Sequence, residues 1–174
     1  MKYFIALIAL TVMPCLVFSQ TKAINKFYNK YKNLESVTDI KLNGWVLKLA
    51  ATFSDEEEGE EILKKITQLR VLVMEDGNLV SKQEYSQLKK DVRKSAFDEL
   101  FKIKEEGQEI EFMIRESKDA ITDVLVLVHG NDEFVLLSLE GNLKFSDLNN
   151  LNIDIDGGEH FQKIPKKKED IPRA

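Results

Sequence analysis

The stretch from Ala120 to Leu139 constrains the fold most. Two apolar runs, Val124-Leu125-Val126-Leu127-Val128 and Phe134-Val135-Leu136-Leu137-Ser138-Leu139, flank the polar break His129-Gly130-Asn131-Asp132-Glu133. A strand with one wet face alternates apolar and polar residues, whereas these are apolar at nearly every position and require cover on both faces. The pattern predicts the central hairpin of a sheet with other elements packed above and below it.

The segments before the hairpin supply candidates for that cover. Ile24, Phe27, Tyr28, Tyr31 and Leu34 recur at helical spacing among Lys22, Lys26, Lys30 and Lys32, which predicts an amphipathic helix over 22–34 that caps one sheet face. Val37 to Leu42 reads as a weak first strand. Asn43 then reads as the N-cap of an apolar helix from Gly44 to Phe53 carrying Trp45, Leu49 and Phe53. The run Asp55-Glu56-Glu57-Glu58-Gly59-Glu60-Glu61 reads as a helix start. Acids in a first turn are stabilised by the helix dipole, and Lys64 and Lys65 stand at i+4 from Glu60 and Glu61. A calcium loop is the sharper alternative for this run, but the fixed ligand spacing is missing.

Leu69 to Glu75 predicts a strand with Leu69, Val71 and Val73 on one face and Leu72 and Met74 on the other; Arg70 interrupts it, and pairing at a sheet edge is the expected solution. Ser81 with Glu84 makes a capping box for a helix reaching about Asp98, with Tyr85, Leu88, Val92 and Ala96 as its buried stripe. Phe101 and Ile103 alternate with Lys102 and Lys104, Glu106-Gly107 turns the chain, and Ile110, Phe112 and Ile114 follow as the second arm of a hairpin. A last helical turn is expected over Ser146 to Leu151. The sum is an α+β fold: an antiparallel sheet, with a meander of about four strands plus one or two more, packed against three to four helices.

Lys2 and the apolar run Tyr3 to Phe18, ending in Val17-Phe18-Ser19, fit a secretory signal cleaved between Ser19 and Gln20. That run is shorter than the roughly 20 residues a membrane span needs. The expected organisation is a signal peptide at 1–19, a single domain at 20–151 and a polar tail at 152–174, with the product periplasmic or secreted and without a stable membrane anchor. Cys15 is the one cysteine. Pro14 before it and Leu16-Val17-Phe18 after it depart from a lipidation site, so it leaves with the signal, and disulfide or thiolate chemistry leaves with it.

No catalytic, cofactor-binding or metal-ligating residues stand out. His129 reads as a surface turn residue and His160 falls in the tail, so the two histidines are not placed by sequence to share a metal or assist a nucleophile. Glycine-rich phosphate loops, dinucleotide fingerprints and nucleophile elbows are absent. Asn152-Ile153-Asp154-Ile155-Asp156-Gly157 imitates the first half of a calcium loop, but Lys163 stands where the bidentate glutamate belongs. A formal net charge of −5 gives no footprint for nucleic acid and disfavours an anionic partner.

Ile66-Thr67-Gln68-Leu69-Arg70-Val71-Leu72-Val73-Met74-Glu75, Phe97-Asp98-Glu99-Leu100 and the stretch Asp132 to Leu143 together resemble the domain of unknown function 4252 family over about residues 24 to 151. The resemblance implies a small exported protein typical of Bacteroidetes, in an envelope or sigma-factor regulatory setting, and it carries no catalytic residue. Some relatives look like lipoproteins, a pattern from which Pro14-Cys15 departs. The expectation is a non-catalytic interaction module that meets a protein partner, or a second copy of itself, through a sheet face or edge. The alternative is a carboxylate-dependent hydrolase of the cell envelope, motivated by the 30 acidic residues.

Overall fold

A computed structural model describes residues 22–52, 57–105 and 107–148. The signal segment with Cys15, the residues Phe53, Asp55, Glu56 and Glu106, and the tail with His160 and the calcium-like motif lie outside the described residues.

Helix α1 (Lys22–Tyr31) precedes strand β1 (Thr38–Asn43), and two short helices, α2 (Gly44–Ala51) and α3 (Glu57–Lys65), lead into β2 (Ile66–Met74). Helix α4 (Lys82–Lys94) follows, then β3 (Asp98–Glu105), β4 (Gln108–Ser117), β5 (Ala120–His129), β6 (Phe134–Leu143) and the short α5 (Phe145–Leu148). The strands form one antiparallel sheet in the order β1-β2-β6-β5-β4-β3. The predicted hairpin is therefore the middle of the sheet, the four-strand meander continues from it to one edge, and the Leu69 strand joins it on the other side.

Both faces are covered, as the apolar runs require. On one face Ile24, Phe27, Tyr28 and Tyr31 of α1 and Tyr85, Leu88 and Val92 of α4 pack on Leu72, Met74, Met113, Leu125, Leu127 and Leu136. On the other, Leu47 of α2, Ile62 of α3 and Leu148 of α5 join Phe112, Ile114, Val124, Val126, Leu137 and Leu139. The alternation read along β2 holds, with Leu72 and Met74 on the first face and Leu69 and Val71 on the second.

Several boundaries differ from expectation for local reasons. Helix α1 ends at Tyr31, and Leu34 is exposed in the turn beyond it. Asn43 is extended but its side chain makes no capping bond. Gly44 is what the site needs, because a Cβ there would sit 3.0 Å from the carbonyl oxygens of Ile66 and Thr67. Helix α4 keeps its capping box, with Glu84 N donating to Ser81 Oγ at 3.3 Å, but it ends at Lys94 because Ala96 turns left-handed at φ 60°. Lys64 pairs with Glu60 as the spacing predicts. Lys65 instead crosses to α5, donating to both carboxylate oxygens of Asp147 at 2.9 and 3.0 Å.

Candidate functional site

Register places two rows of side chains across the α1/α4 face. Lys104, Glu109, His129, Phe134 and Met74 are successive partners from β3 to β2, and Lys102, Glu111, Leu127, Leu136 and Leu72 form the next row. The face is apolar in its middle and charged towards β3 and β4. Helix α4 bridges the two regimes: its Tyr85, Leu88 and Val92 enter the core while Lys89 reaches the carboxylates.

Glu111 is fully buried, the state in which a carboxylate needs partners. Lys89 Nζ donates to it at 2.8 Å and Lys102 Nζ at 2.7 Å. Glu109 next to it takes Lys89 at 2.5 Å, Lys102 at 2.8 Å and Lys104 at 3.1 Å. Burial alone would raise the Glu109 carboxyl, but the bonds from Lys102, Lys89 and Lys104 outweigh it and hold the group well below the usual carboxylate range. Tyr85 stacks on His129 with ring centroids 4.4 Å apart, and Lys89 Nζ lies 4.3 Å from the Tyr85 ring centre. Burial first, then the charges of Glu111 and Glu109, push the Tyr85 phenol up, so it stays neutral.

Tyr85, Lys89, Glu109 and His129 border a cleft of about 540 Å³ between the start of α4 and the β3–β4 hairpin, with Lys82, Ser86, Lys104 and Gln108 at its rim. Next to His129, Asn78 Nδ2 donates to Gly130 O at 2.8 Å and Gly77 N to Asp132 O at 2.9 Å, tying the β2–α4 loop to the β5–β6 turn. His129 is the last residue of β5 and half-buried, which corrects its reading as a surface turn residue. Its Nε2 lies 3.4 Å from Val80 O.

A second polar group closes the opposite end of the same face. Arg70 is buried and donates to Glu140 Oε1 at 2.5 Å and to Asn25 Oδ1, with its guanidinium over the Tyr28 ring. The expected edge pairing is corrected, since β2 lies between β1 and β6 and the partners come from β6 and α1. Arg115 and Asp123 pair alongside, at 2.9 Å through Nε and 2.5 Å through Nη2.

Chemically, the carboxylates of both groups are paired with cations of the chain, while Glu111 Oε2 and Arg70 Nε are buried without a hydrogen-bond partner among the described residues. A hydrolytic carboxylate pair needs one member protonated near neutral pH. Here Glu109 is held ionised by three lysines and Glu111 is sealed from solvent. Among the described residues no three His, Cys, Asp or Glu side chains are grouped to hold a metal ion, and no helix is long and apolar enough to cross a membrane. Sequence reasoning missed this cluster, although a signal was present: Lys102 and Lys104 face Glu111 and Glu109 across a tight hairpin, and cross-strand pairs of opposite charge are the common outcome of that pattern.

Fold and site together define an α+β domain built on an open six-stranded antiparallel sheet whose buried charges are matched within the chain. The sequence matches the family described as Domain of unknown function (DUF4252) over residues 31–151, and the chain belongs to that family. No curated protein and no solved structure matches it.

Proposed function

We propose that the protein is an exported, non-catalytic interaction module that docks a protein partner, or a second copy of itself, through the β1 edge and the helix beside it. The observation that carries this reading is the exposure of Trp45 (69%) and Leu49 (53%), one turn apart on α2. Large aromatic and aliphatic side chains left in water on one helix face mark contact surfaces, and tryptophan is the residue most enriched at their centres. Strand β1 has one unpaired edge, and Ile40 on it is also exposed. Both faces of the central strands are buried, so the edge and α2 support the interaction in preference to a sheet face. The family resemblance suggests envelope or sigma-factor regulation as the setting.

The envelope-hydrolase alternative draws on Glu109 at the cleft and Glu111 buried next to it, and the ionised state of Glu109 and the burial of Glu111 weigh against it. Light scattering of the purified chain, with affinity capture from envelope extract, tests the interaction reading. The expected result is self-association or a captured protein, lost in the Trp45→Ser/Leu49→Ser variant while its melting temperature is kept. A strict monomer that captures nothing would sink it.

A further inference from the structure

The helix side of the sheet carries a charge opposite to that of the whole chain. Spans 22–32 and 82–94 contain nine lysines and arginines against two acids, Glu84 and Asp91, in a protein of formal net charge −5. Helices α1 and α4 lie on the same face, so these charges share one side of the molecule. The expectation that an anionic partner is disfavoured rested on net charge, which averages over this separation.

The basic residues of α4 are ordered along its outer side. Lys82, Ser86 and Lys90 are exposed at i, i+4 and i+8, and exposed Arg93 continues the stripe. Two shallow depressions lined by α4 alone follow this side, and Ser86 and Lys90 border both. Lys89 is turned inward to Glu109 and Glu111, and Arg93 is engaged with Glu99. Lys82 and Lys90 form no ion pair among the described residues.

We propose that this stripe of α4 binds the carboxylates along one side of an extended acidic segment of a partner protein. The repeat distances agree. Lys82 and Lys90, eight positions apart on the helix, are separated by about 12 Å of rise, and side chains four apart in an extended peptide by roughly 13.6 Å. The stripe from Lys82 to Arg93 is about 17 Å long, which matches roughly five extended residues. A single-stranded nucleic acid fits less well, because it stacks bases on exposed aromatic rings and the one aromatic residue of α4, Tyr85, is buried. A membrane surface fits less well too, because the apolar residues of α1 and α4 face the core and leave nothing to insert. This surface lies on the other side of the sheet from α2 and stands independently of the Trp45 and Leu49 contact.

The test is fluorescence anisotropy with a labelled peptide Asp-Glu-Glu-Glu-Gly-Glu-Glu, the chain's own sequence at 55–61, titrated with the purified full chain. Binding is expected at about 50 mM salt and should weaken several-fold at about 200 mM, as screening of exposed charges requires. Lys82→Gln/Lys90→Gln should weaken it roughly tenfold with an unchanged melting temperature, since both residues are exposed and unpaired. Lys22→Gln/Lys26→Gln on α1 and Trp45→Ser on α2 should leave it unchanged, which separates this surface from the one on α2. The proposal is overturned if the peptide fails to bind at low salt or if the Lys82/Lys90 variant binds it equally well. It is also overturned if a single-stranded oligonucleotide or vesicles of anionic lipid bind more tightly through the same two lysines.

Discussion

At the residue scale, Val126 and Lys104 show how position outweighs identity. Val126 has no exposed surface and sits between Leu137 and Phe112 in the register. Val126→Asp places an unpaired charge there, at a cost of several kcal/mol, so the variant should show no cooperative unfolding transition. Lys104 is largely exposed, but it partners Glu109 across the strands. Lys104→Asp should therefore cost about 1 kcal/mol, from the like-charge pair it creates, and urea denaturation of the two variants checks the contrast. Glu111 is a third kind of position. Glu111→Gln keeps its shape but leaves Lys89 and Lys102 facing a neutral amide, and should lower the unfolding free energy by about 1–3 kcal/mol. Denaturation no easier than in the parent would mean that the buried pairing does not stabilise the fold.

At the scale of elements, the turn joining β4 to β5 is tighter than its sequence advertises. Lys118 and Asp119 both adopt positive φ, 50° and 65°, the two-residue connection that asparagine and glycine favour. The double substitution Lys118→Asn/Asp119→Gly should raise the thermal midpoint, with a gain of roughly 0.5–1 kcal/mol; a lower midpoint would show that the native side chains stabilise the turn by other means. This turn also marks where legibility stopped. The central hairpin, the meander and the capping box at Ser81 were readable because each is a local repeat or a fixed offset in sequence. The end of α4 was not, because Ala96 terminates it by a left-handed backbone that alanine does not signal. Helix α2 was read as apolar without showing which side the sheet would take; Leu47 and Ala51 went inward while Trp45 and Leu49 stayed in water. The partners of Arg70 and Lys65, at Glu140 and Asp147, are distant in the chain and carry no sequence signal.

At the scale of the whole molecule, the paired charges set a stability profile with pH. Glu84 is held at about 2, below its ordinary 4.5, chiefly by the bond from Lys30, which outweighs the opposing effect of burial and is helped by Ser81; Glu109 is depressed as well. For both, the unfolded chain binds protons at a higher pH than the folded one, so their contribution is fully present above about pH 4.5 and is lost as the pH falls through the folded values. Glu84 is exposed and adds little, which leaves Glu109 as the main source of the acid limb. The tyrosines act at the other end. Burial, and then the bond to Asp39, push the Tyr28 phenol from 10.0 up to about 12, and Tyr85 is raised further by burial and the neighbouring glutamates. Their contribution is present below pH 10 and lost as the pH rises through the folded values. Unfolding free energy measured by urea titration should thus be level from about pH 5 to pH 9 and fall on both sides. Glu109→Gln should flatten the acid side while leaving the alkaline fall in place. An acid limb of unchanged slope in that variant would assign the proton uptake elsewhere and remove the Lys89, Lys102 and Lys104 cluster from the account of stability.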